Sequence, residues 1–256
     1  MILMLRKLGR TSLQRFWKMG HMFLFLLTAL FGVVRPPYRL DNLLKQIVFI
    51  GIHSLFVIVL TAAFAGMVLA LQGYYILSRF GSEGMVGPMV ALAIVQELGP
   101  VLTALMVTGR AGSAMAGELG VMRIKEQIDA LESMGINPLK YLIAPRVEAS
   151  LITLPVLTAI FNVVGIFGGY LVAVQLLGMS SGTYWGGIES KLAAKDIYIS
   201  VIKSFSFGLI VAWVCTYMGY FTTRGAEGVG RSITSAVVLT SVLVLIWDYF
   251  ITSVML

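Results

Sequence analysis

The sequence is poor in the side chains on which disulfide-stabilised proteins and most zinc proteins depend. Its 256 residues include one cysteine, Cys215, and two histidines, His21 and His53. A single cysteine excludes a disulfide within the chain and a zinc site built from several thiolates. We therefore expect no metal ion and no catalytic histidine.

Charged side chains are also scarce. Asp, Glu, Lys and Arg make up 12% of the chain, whereas hydrophobic residues make up 58%. This balance differs from that of soluble globular domains and is typical of an integral membrane protein. The net charge of +7 then reflects lysines and arginines next to anionic headgroups, and we expect no nucleic-acid partner.

Five stretches with almost no charge are long enough to cross a membrane, which takes about 20 mostly apolar residues. They are residues 47–71, 84–109, 149–177, 204–223 and 232–256. The second contains Glu97 as its only charge, and the fifth contains Asp248. The sequence therefore predicts an all-α integral membrane protein, with five transmembrane helices within residues 46–256.

A shorter apolar stretch covers residues 19–34, which would form about 24 Å of helix. It is flanked by lysines and arginines on both sides, so we expect an interfacial or re-entrant helix inside a basic amphipathic region, residues 1–45. Ile2, Leu5 and Leu8 share a face opposite Lys7 and Arg10, as in helices that lie on a membrane surface. A cleaved signal peptide is the alternative, but no clear A-x-A cleavage site follows the apolar core.

The distribution of lysine and arginine predicts the orientation of the chain. With the N-terminus in the cytoplasm, the inner segments hold fifteen of the 19 lysines and arginines, and the outer segments hold Arg79, Lys191, Lys195 and Lys203. We therefore expect a cytoplasmic N-terminus and a C-terminus on the outer side.

The stretch RGAEGVGRS, residues 224–232, comes within one residue of the phosphate-binding loop G-x-x-x-x-G-K-[ST], with Arg231 where the lysine belongs. Such a loop follows a buried strand and begins a helix in an α/β domain. This stretch instead joins two predicted membrane helices, so we interpret it as a glycine-rich turn. Any ATP must then be bound by another chain.

The longest inner loop has an apolar stripe of helical period, formed by Val121, Ile124, Ile128, Leu131 and Met134. Lys125 and Asp129 are spaced to pair, Gly135 is suited to end the helix, and Asn137-Pro138 prevents its continuation. The pattern predicts a capped amphipathic helix of about four turns. It is either a plain interfacial connector or a docking element for a partner.

Glu97 lies in the middle of the second predicted span, where an ionised carboxylate costs about 2.5–3.5 kcal/mol on insertion scales. Pro100 lacks an amide hydrogen and crowds the carbonyl of Gln96, which predicts an interruption of the helix beside Glu97. Gly99 permits close approach of a neighbouring backbone. Glu97 is therefore either a functional group facing a cavity or a carboxylate that bonds a neighbouring helix for packing.

The run VQELGPVLTALMVTGRAGSAMAGELGVMRIKEQIDALESMGINPLKYLIAPR, residues 95–146, resembles the signature region of the MlaE/YrbE-type permease family. FAGMVLALQGY in the first span and the five-span layout resemble the family too, whereas the resemblance weakens after Leu177. Members of this family are the membrane subunits of ABC transporters that work with MCE-domain proteins on lipids.

The resemblance implies a permease subunit, not an enzyme, that moves phospholipid between the bacterial inner membrane and a periplasmic MCE partner, for outer-membrane lipid homeostasis. It implies a homodimer, a separate cytoplasmic ATPase that binds ATP and magnesium, and a small cytoplasmic regulatory protein, with no cofactor in this chain. Two alternatives stand beside it: an intramembrane enzyme that uses Glu97 or Ser113, and a passive membrane anchor for a complex.

The resemblance also implies two sets of site residues and no catalytic ones. The first set lines a phospholipid cavity at the dimer interface: Leu69, Gln72, Gly73, Ile76, Leu77, Phe80, Gln96, Glu97 and Leu98. Some members carry a basic residue immediately before the glutamate, where this chain has Gln96. The second set belongs to a coupling helix within residues 118–138 that docks on the ATPase: Glu118, Arg123, Glu126, Gln127, Asp129, Leu131, Met134, Gly135 and Pro138.

Overall fold

The computed structural model describes Trp17 and residues 19–32, 40–223 and 225–255, and over these residues the chain is helical with no strand. Five of its helices are long and apolar enough to cross a membrane. They are α2 (Leu40–Ser78), α3 (Glu83–Ile124), α5 (Leu139–Leu176), α7 (Ala194–Tyr220) and α8 (Ala226–Met255). Shorter helices are α1 (Met19–Gly32), α4 (Gln127–Ser133) and α6 (Ser181–Lys191). The prediction of an all-α membrane protein with five spans is confirmed.

The short helix α1 has apolar side chains on both its faces. Phe25, Leu26 and Ala29 are buried against the bundle, whereas Phe23 and Phe31 are exposed. The indole nitrogen of Trp213 donates to the carbonyl oxygen of Met22 at 2.8 Å and holds α1 against α7. The predicted amphipathic face of Ile2, Leu5 and Leu8, with Lys7 and Arg10 opposite, lies outside the described residues.

The spanning helices are longer than the sequence predicted. α2, α3 and α5 contain 39, 42 and 38 residues, about 57–63 Å at 1.5 Å per residue, so they extend well past the roughly 30 Å hydrocarbon layer. The predicted starts after Glu148 and at Ser204 are wrong because charged residues lie inside the helices. Arg146 of α5 is buried and pairs with Glu118 of α3 at 3.1 Å, and Lys203 of α7 is buried as well.

Small residues allow α2 and α5 to pack closely. A Cβ added at Gly66 would overlap the carbonyl oxygen of Gly165, and one added at Gly168 would overlap that of Ala63. α7 approaches α5 in the same way at Gly208, next to the carbonyl of Ser150. Close backbone contact of this kind holds membrane helices together through van der Waals packing.

Five π-helical turns lie within the long helices: Val48–Ile52, Ile94–Leu98, Thr108–Gly112, Leu139–Ile143 and Leu171–Leu176. The turn Ile94–Leu98 contains Glu97 and ends next to Gly99-Pro100. The missing amide hydrogen of Pro100 is therefore accommodated by a widened turn, and α3 continues where we predicted an interruption. A Cβ at Gly99 would overlap the side-chain oxygen of Asn162, so this glycine admits a side chain of α5, where we had expected a backbone.

The five spans alternate in direction and define two ends of the bundle. The near end contains α1, α4 and the loop between α7 and α8. The far end contains the α2–α3 loop and α6. α6 is held there by Tyr184, a buried side chain whose hydroxyl donates to the carbonyl oxygen of Ile166 at 2.9 Å.

Candidate functional site

A buried ammonium group joins three of the spanning helices. The Nζ atom of Lys203 lies 2.7 Å from Oε2 of Glu97 in α3 and 2.8 Å from Oδ1 of Asp248 in α8. The contact with Asp248 is an ion pair without hydrogen-bond alignment. Because Lys203 lies nine residues beyond Ala194, at the start of α7, it sits about 14 Å along the helix, inside the bundle.

Thr252 of α8 completes this ion cluster, which consists of Glu97, Lys203, Asp248 and Thr252. Its hydroxyl accepts a hydrogen bond of 2.7 Å from Lys203 Nζ and donates one of 3.0 Å to Glu97 Oε1. Three oxygen neighbours surround the ammonium, which offsets the free energy of removing it from water. With two carboxylates and one ammonium, the cluster has a formal charge of −1.

The ion cluster corrects the interpretation of Lys203, which the sequence placed in an outer segment. Its side chain is 0% exposed, that of Asp248 is 18% exposed and that of Glu97 is 37% exposed. Of the two carboxylates, Glu97 is therefore the one more open to a ligand. An isolated charge within an apolar span requires an opposite charge, so the sequence indicates that Glu97 has a partner, but only the packing of the helices shows that the partner is Lys203.

Gln96 is fixed by a neighbouring helix. Its amide nitrogen donates to Oδ1 of Asp196 at 2.8 Å, and Oδ2 of Asp196 accepts the amide hydrogen of Ala193 at 2.8 Å. Asp196 lies in the first turn of α7, where its carboxylate caps the helix. Gln96 thus connects α3 to the start of α7.

In a single copy of the chain, the residues expected to line the lipid cavity differ in how exposed they are. Gln72 and Ile76 of α2 are exposed, as is Phe80 in the turn after it, and Leu69 and Leu77 are partly buried against the hydrophobic core. Gly73 is buried where the side chain of Met89 approaches it. On α3, Gln96, Glu97 and Leu98 are partly exposed. The structure thus leaves Gln72, Ile76 and Phe80 open at the far end of the bundle, and the three α3 residues are only partly open.

The coupling segment consists of two helices, whereas the sequence predicted one over residues 121–135. α3 continues to Ile124, Glu126 has a left-handed backbone with φ of 57°, and α4 begins at Gln127. The bend allows Ile128 to reach a buried cluster with Phe25 and Leu119. The predicted pair of Lys125 and Asp129 is replaced by Arg123 and Asp129, whose atoms Nη1 and Oδ1 are 2.7 Å apart.

Gly135 ends α4 as predicted, with a φ of +73°. The amide of Ile136 donates to the carbonyl of Leu131 and that of Gly135 donates to the carbonyl of Glu132, both at 2.9 Å, which is the Schellman pattern. Asn137 also begins the next helix, because its Oδ1 accepts the amide hydrogen of Leu139 at 3.0 Å. Pro138, which is buried, thus precedes α5 in a position that suits proline.

Some of the expected coupling residues form ion pairs within the chain, and several are exposed; Asp129 does both. Glu118 is bound to Arg146, and Arg123 to Asp129. Leu131 is partly buried against the core of its own chain, so the stripe that we expected to face a partner faces the bundle there. The open surface of the segment is formed by Glu126, Gln127, Asp129, Met134 and Gly135.

Within the described part of the chain, Ser113 has no hydrogen bond that would activate it as a nucleophile. Its hydroxyl donates to the carbonyl oxygens of Gly109 at 2.5 Å and Arg110 at 2.9 Å, within its own helix. His21 contacts Tyr217 at the near end and His53 contacts Phe49. Since a serine nucleophile requires a base within hydrogen-bond reach, this geometry gives no support to catalysis by Ser113.

The fold and the ion cluster define a multi-pass membrane protein with a polar site inside its bundle. Residues 43–254 match the family described as Permease MlaE. The chain belongs to the MlaE permease family. The resemblance seen in the signature region is thereby confirmed, and it extends beyond Leu177, where the motifs had weakened.

Named relatives are similar over most of the chain. A probable ABC transporter permease protein of Rickettsia bellii is 42% identical over 245 residues, which cover 96% of this chain and 95% of that protein. The intermembrane phospholipid transport system permease protein MlaE of Haemophilus influenzae is 39% identical over 249 residues, which cover 97% and 95%. Protein TRIGALACTOSYLDIACYLGLYCEROL 1, chloroplastic, of Arabidopsis thaliana is 40% identical over 221 residues, which cover 86% and 63%.

Proposed function

We propose that this chain is the membrane subunit of an ABC transporter that moves phospholipid between the inner membrane and a periplasmic MCE-domain partner. Membership of the MlaE permease family supports this, as does similarity to a permease named for intermembrane phospholipid transport. Its role is then in outer-membrane lipid homeostasis. A separate cytoplasmic ATPase supplies the energy, because residues 226–232 of the stretch RGAEGVGRS form the start of α8 and the element before them is the helix α7, where a phosphate-binding loop requires a strand.

One observation carries the lipid assignment: an apolar face lies open at the far end of α2, in a protein whose ion cluster leaves the Glu97 carboxylate partly exposed. Ile76 and Phe80 are 55% and 76% exposed, and Glu97 is 37% exposed. An apolar surface with a few fixed polar groups is the usual composition of a ligand site. We infer that phospholipid binds here and that Glu97 does no bond-breaking chemistry.

A second copy of the chain would convert this open face into a cavity. Only 28% of the apolar window of α2 and 17% of that of α8 is buried, so both helices present large apolar surfaces. A two-fold dimer places the same face of both subunits in contact. We infer a homodimer whose interface contains the lipid.

The excess of lysine and arginine in the segments predicted to be inner supports a cytoplasmic location of the near end. The N-terminus is then cytoplasmic and the C-terminus periplasmic, in the bacterial inner membrane. The open surface of α4 faces the ATPase, and a small cytoplasmic regulatory protein completes that side. The far end, with α6, faces the MCE partner.

Photo-crosslinking in the assembled complex tests the lipid site. A photoreactive phenylalanine analogue is placed at Ile76 or Phe80, and at Val163 of α5, which is 69% exposed, as a control for surrounding lipid. We expect phospholipid adducts at the two α2 positions whose yield changes during ATP turnover, with no such change at Val163. Missing adducts at both positions in an active complex would refute the site, and a yield indifferent to ATP would favour the passive anchor.

A further inference from the structure

A groove of about 480 Å³ opens at the near end between α1 and the segment that joins α3, α4 and α5. Its apolar side is formed by Leu24 and Phe25 of α1 and by Phe221 after α7, and its polar side by Arg123 and Glu132. None of these residues belongs to the proposed lipid cavity in the far half. The groove is therefore a second, separate space.

The apolar side of the groove is continuous with the membrane-facing surface of α1. The rings of Phe25 and Phe221 are in edge contact, with centroids 5.8 Å apart. Leu24 is 60% exposed at the opening, next to Phe23 and close to Met19, which are also exposed. Large apolar side chains on the outside of an apolar helix belong in lipid. An acyl chain from the adjacent leaflet can therefore enter without crossing a polar surface.

The polar side carries both signs of charge. Arg123 uses its Nη1 atom for Asp129 at 2.7 Å, and its guanidinium lies 5.9 Å from the centre of the Tyr220 ring. Since a guanidinium has five N–H donors, Arg123 retains donors for a second acceptor. Glu132 accepts the hydroxyl of Tyr220 through Oε1 at 3.3 Å. Among the described residues, no ion pair involves Glu132.

We propose that this groove binds a phospholipid whose headgroup carries a primary ammonium, taken from the leaflet at the near end. The lipid phosphate accepts hydrogen bonds from Arg123, the ammonium donates to Glu132, and an acyl chain packs on Phe25 and Phe221. A trimethylammonium headgroup has no N–H to donate. A headgroup that is only anionic meets the negative charge of Glu132 without compensation. The bound lipid contacts α1, α3 and α4 together, so it braces the coupling segment against the interfacial helix.

The test uses the complete chain assembled with its partner subunits in vesicles. A photoreactive phenylalanine analogue replaces Leu24. The vesicles contain either phosphatidylethanolamine or phosphatidylcholine with the same acyl chains, each with the same share of phosphatidylglycerol. Only complexes recovered through a tag on the ATPase are counted, so that misfolded chains do not contribute. We expect adducts of phosphatidylethanolamine in roughly tenfold excess over phosphatidylcholine, a ratio equal to about 1.4 kcal/mol.

The variant Glu132→Gln tests the ammonium contact. It retains an oxygen that accepts the Tyr220 hydroxyl and removes the negative charge, so the preference for phosphatidylethanolamine should disappear. Glu227→Gln removes an exposed carboxylate at the start of α8, at the same end, and should leave the preference unchanged. Equal yields of the two lipids in the parent chain, or a preference that survives Glu132→Gln, would overturn the proposal. An adduct with a protein instead of a lipid would show that a partner subunit occupies the groove, and this result would overturn the proposal as well.

Discussion

The buried ammonium of Lys203 compensates the negative charges of two carboxylates. The ammonium lies between Glu97 and Asp248, and the Thr252 hydroxyl connects it to the second oxygen of Glu97. Without this cation, the two acidic groups would lie inside the bundle with no opposite charge. Two interpretations of Glu97 were open, a packing role and a functional one. The carboxylate bonds α3 to α7 and α8, as packing requires, and it is also partly exposed, as a ligand contact requires.

Replacing Lys203 alone should destabilise the protein strongly. Lys203→Met leaves Glu97 and Asp248 uncompensated, and breaking a buried ion pair from one side costs about 3–5 kcal/mol. The triple variant Glu97→Gln, Lys203→Met and Asp248→Asn removes all three charges and should recover most of the loss. Thermal unfolding in detergent measures both. A single variant as stable as the parent would contradict the role of the ion cluster.

Contacts between the helices depend on glycines as much as on charged residues. α2 and α5 touch where Gly66 meets Gly165, and the space there does not accommodate even one methyl group. Glycine contacts hold α2 on α5, and they also join α7 to α3 at Gly219, while the ion cluster adds charged contacts among α3, α7 and α8.

Gly66→Ala should therefore lower stability although alanine favours a helix. The added methyl group meets backbone atoms that cannot move independently, and overpacking of this kind costs about 1–3 kcal/mol. Gly230→Ala in α8 is the matched control, because a Cβ there meets nothing within 4 Å. Thermal unfolding measures this effect, and the midpoint should be lower for Gly66→Ala than for Gly230→Ala. Equal midpoints would show that α2 and α5 can move apart without loss.

The bend at Glu126 separates the coupling segment into an anchored part and an open part. Ile128 is fully buried in its own chain, whereas Met134 is 65% exposed. We therefore expect a docking surface for a partner to centre on Met134 and its polar neighbours, because the buried Ile128 contributes to the fold of this chain.

Met134→Glu should weaken association with the ATPase without changing the stability of the membrane subunit. A charge at an exposed apolar contact opposes docking of the partner surface. Ile128→Glu should reduce both, because it places a charge in a buried cluster. Co-purification of the ATPase and thermal unfolding of the permease separate these effects. Full recovery of the ATPase with Met134→Glu would show that docking does not use this position.

As a whole, the chain is an asymmetric bundle whose two ends differ in charge and structure. With Lys203 inside the bundle, only Arg79, Lys191 and Lys195 remain of the cations assigned to the outer side. Arg146, one of the fifteen cations assigned to the inner side, is buried in the bundle as well, so the excess of positive charge on the inner side is unchanged. The expectation that the near end lies in the cytoplasm therefore stands.

Cysteine labelling measures the orientation directly. Ser82→Cys, in the exposed α2–α3 loop at the far end, should react with a membrane-impermeant maleimide on spheroplasts. Glu227→Cys and Arg10→Cys should react only after permeabilisation. Cys215 is buried and gives little background. The reverse pattern would invert the assigned topology and place α4 on the side opposite to any cytoplasmic ATPase.

Local patterns in the sequence were sufficient for the number of spans, the short helix α1, the cap at Gly135 and the family. A membrane span and a helix cap are determined by residues that are adjacent in the sequence, so both can be predicted from the order of the residues. The partners of Glu97 and Gln96 and the bend at Glu126 were not predictable in this way. Lys203 is 106 residues from Glu97, and Asp196 is 100 residues from Gln96, so only the packing of α3 against α7 and α8 brings them within hydrogen-bond distance. The bend at Glu126 follows from the same cause, because burial of Ile128 against α1 and α3 outweighs the propensity of residues 121–135 to continue as one helix.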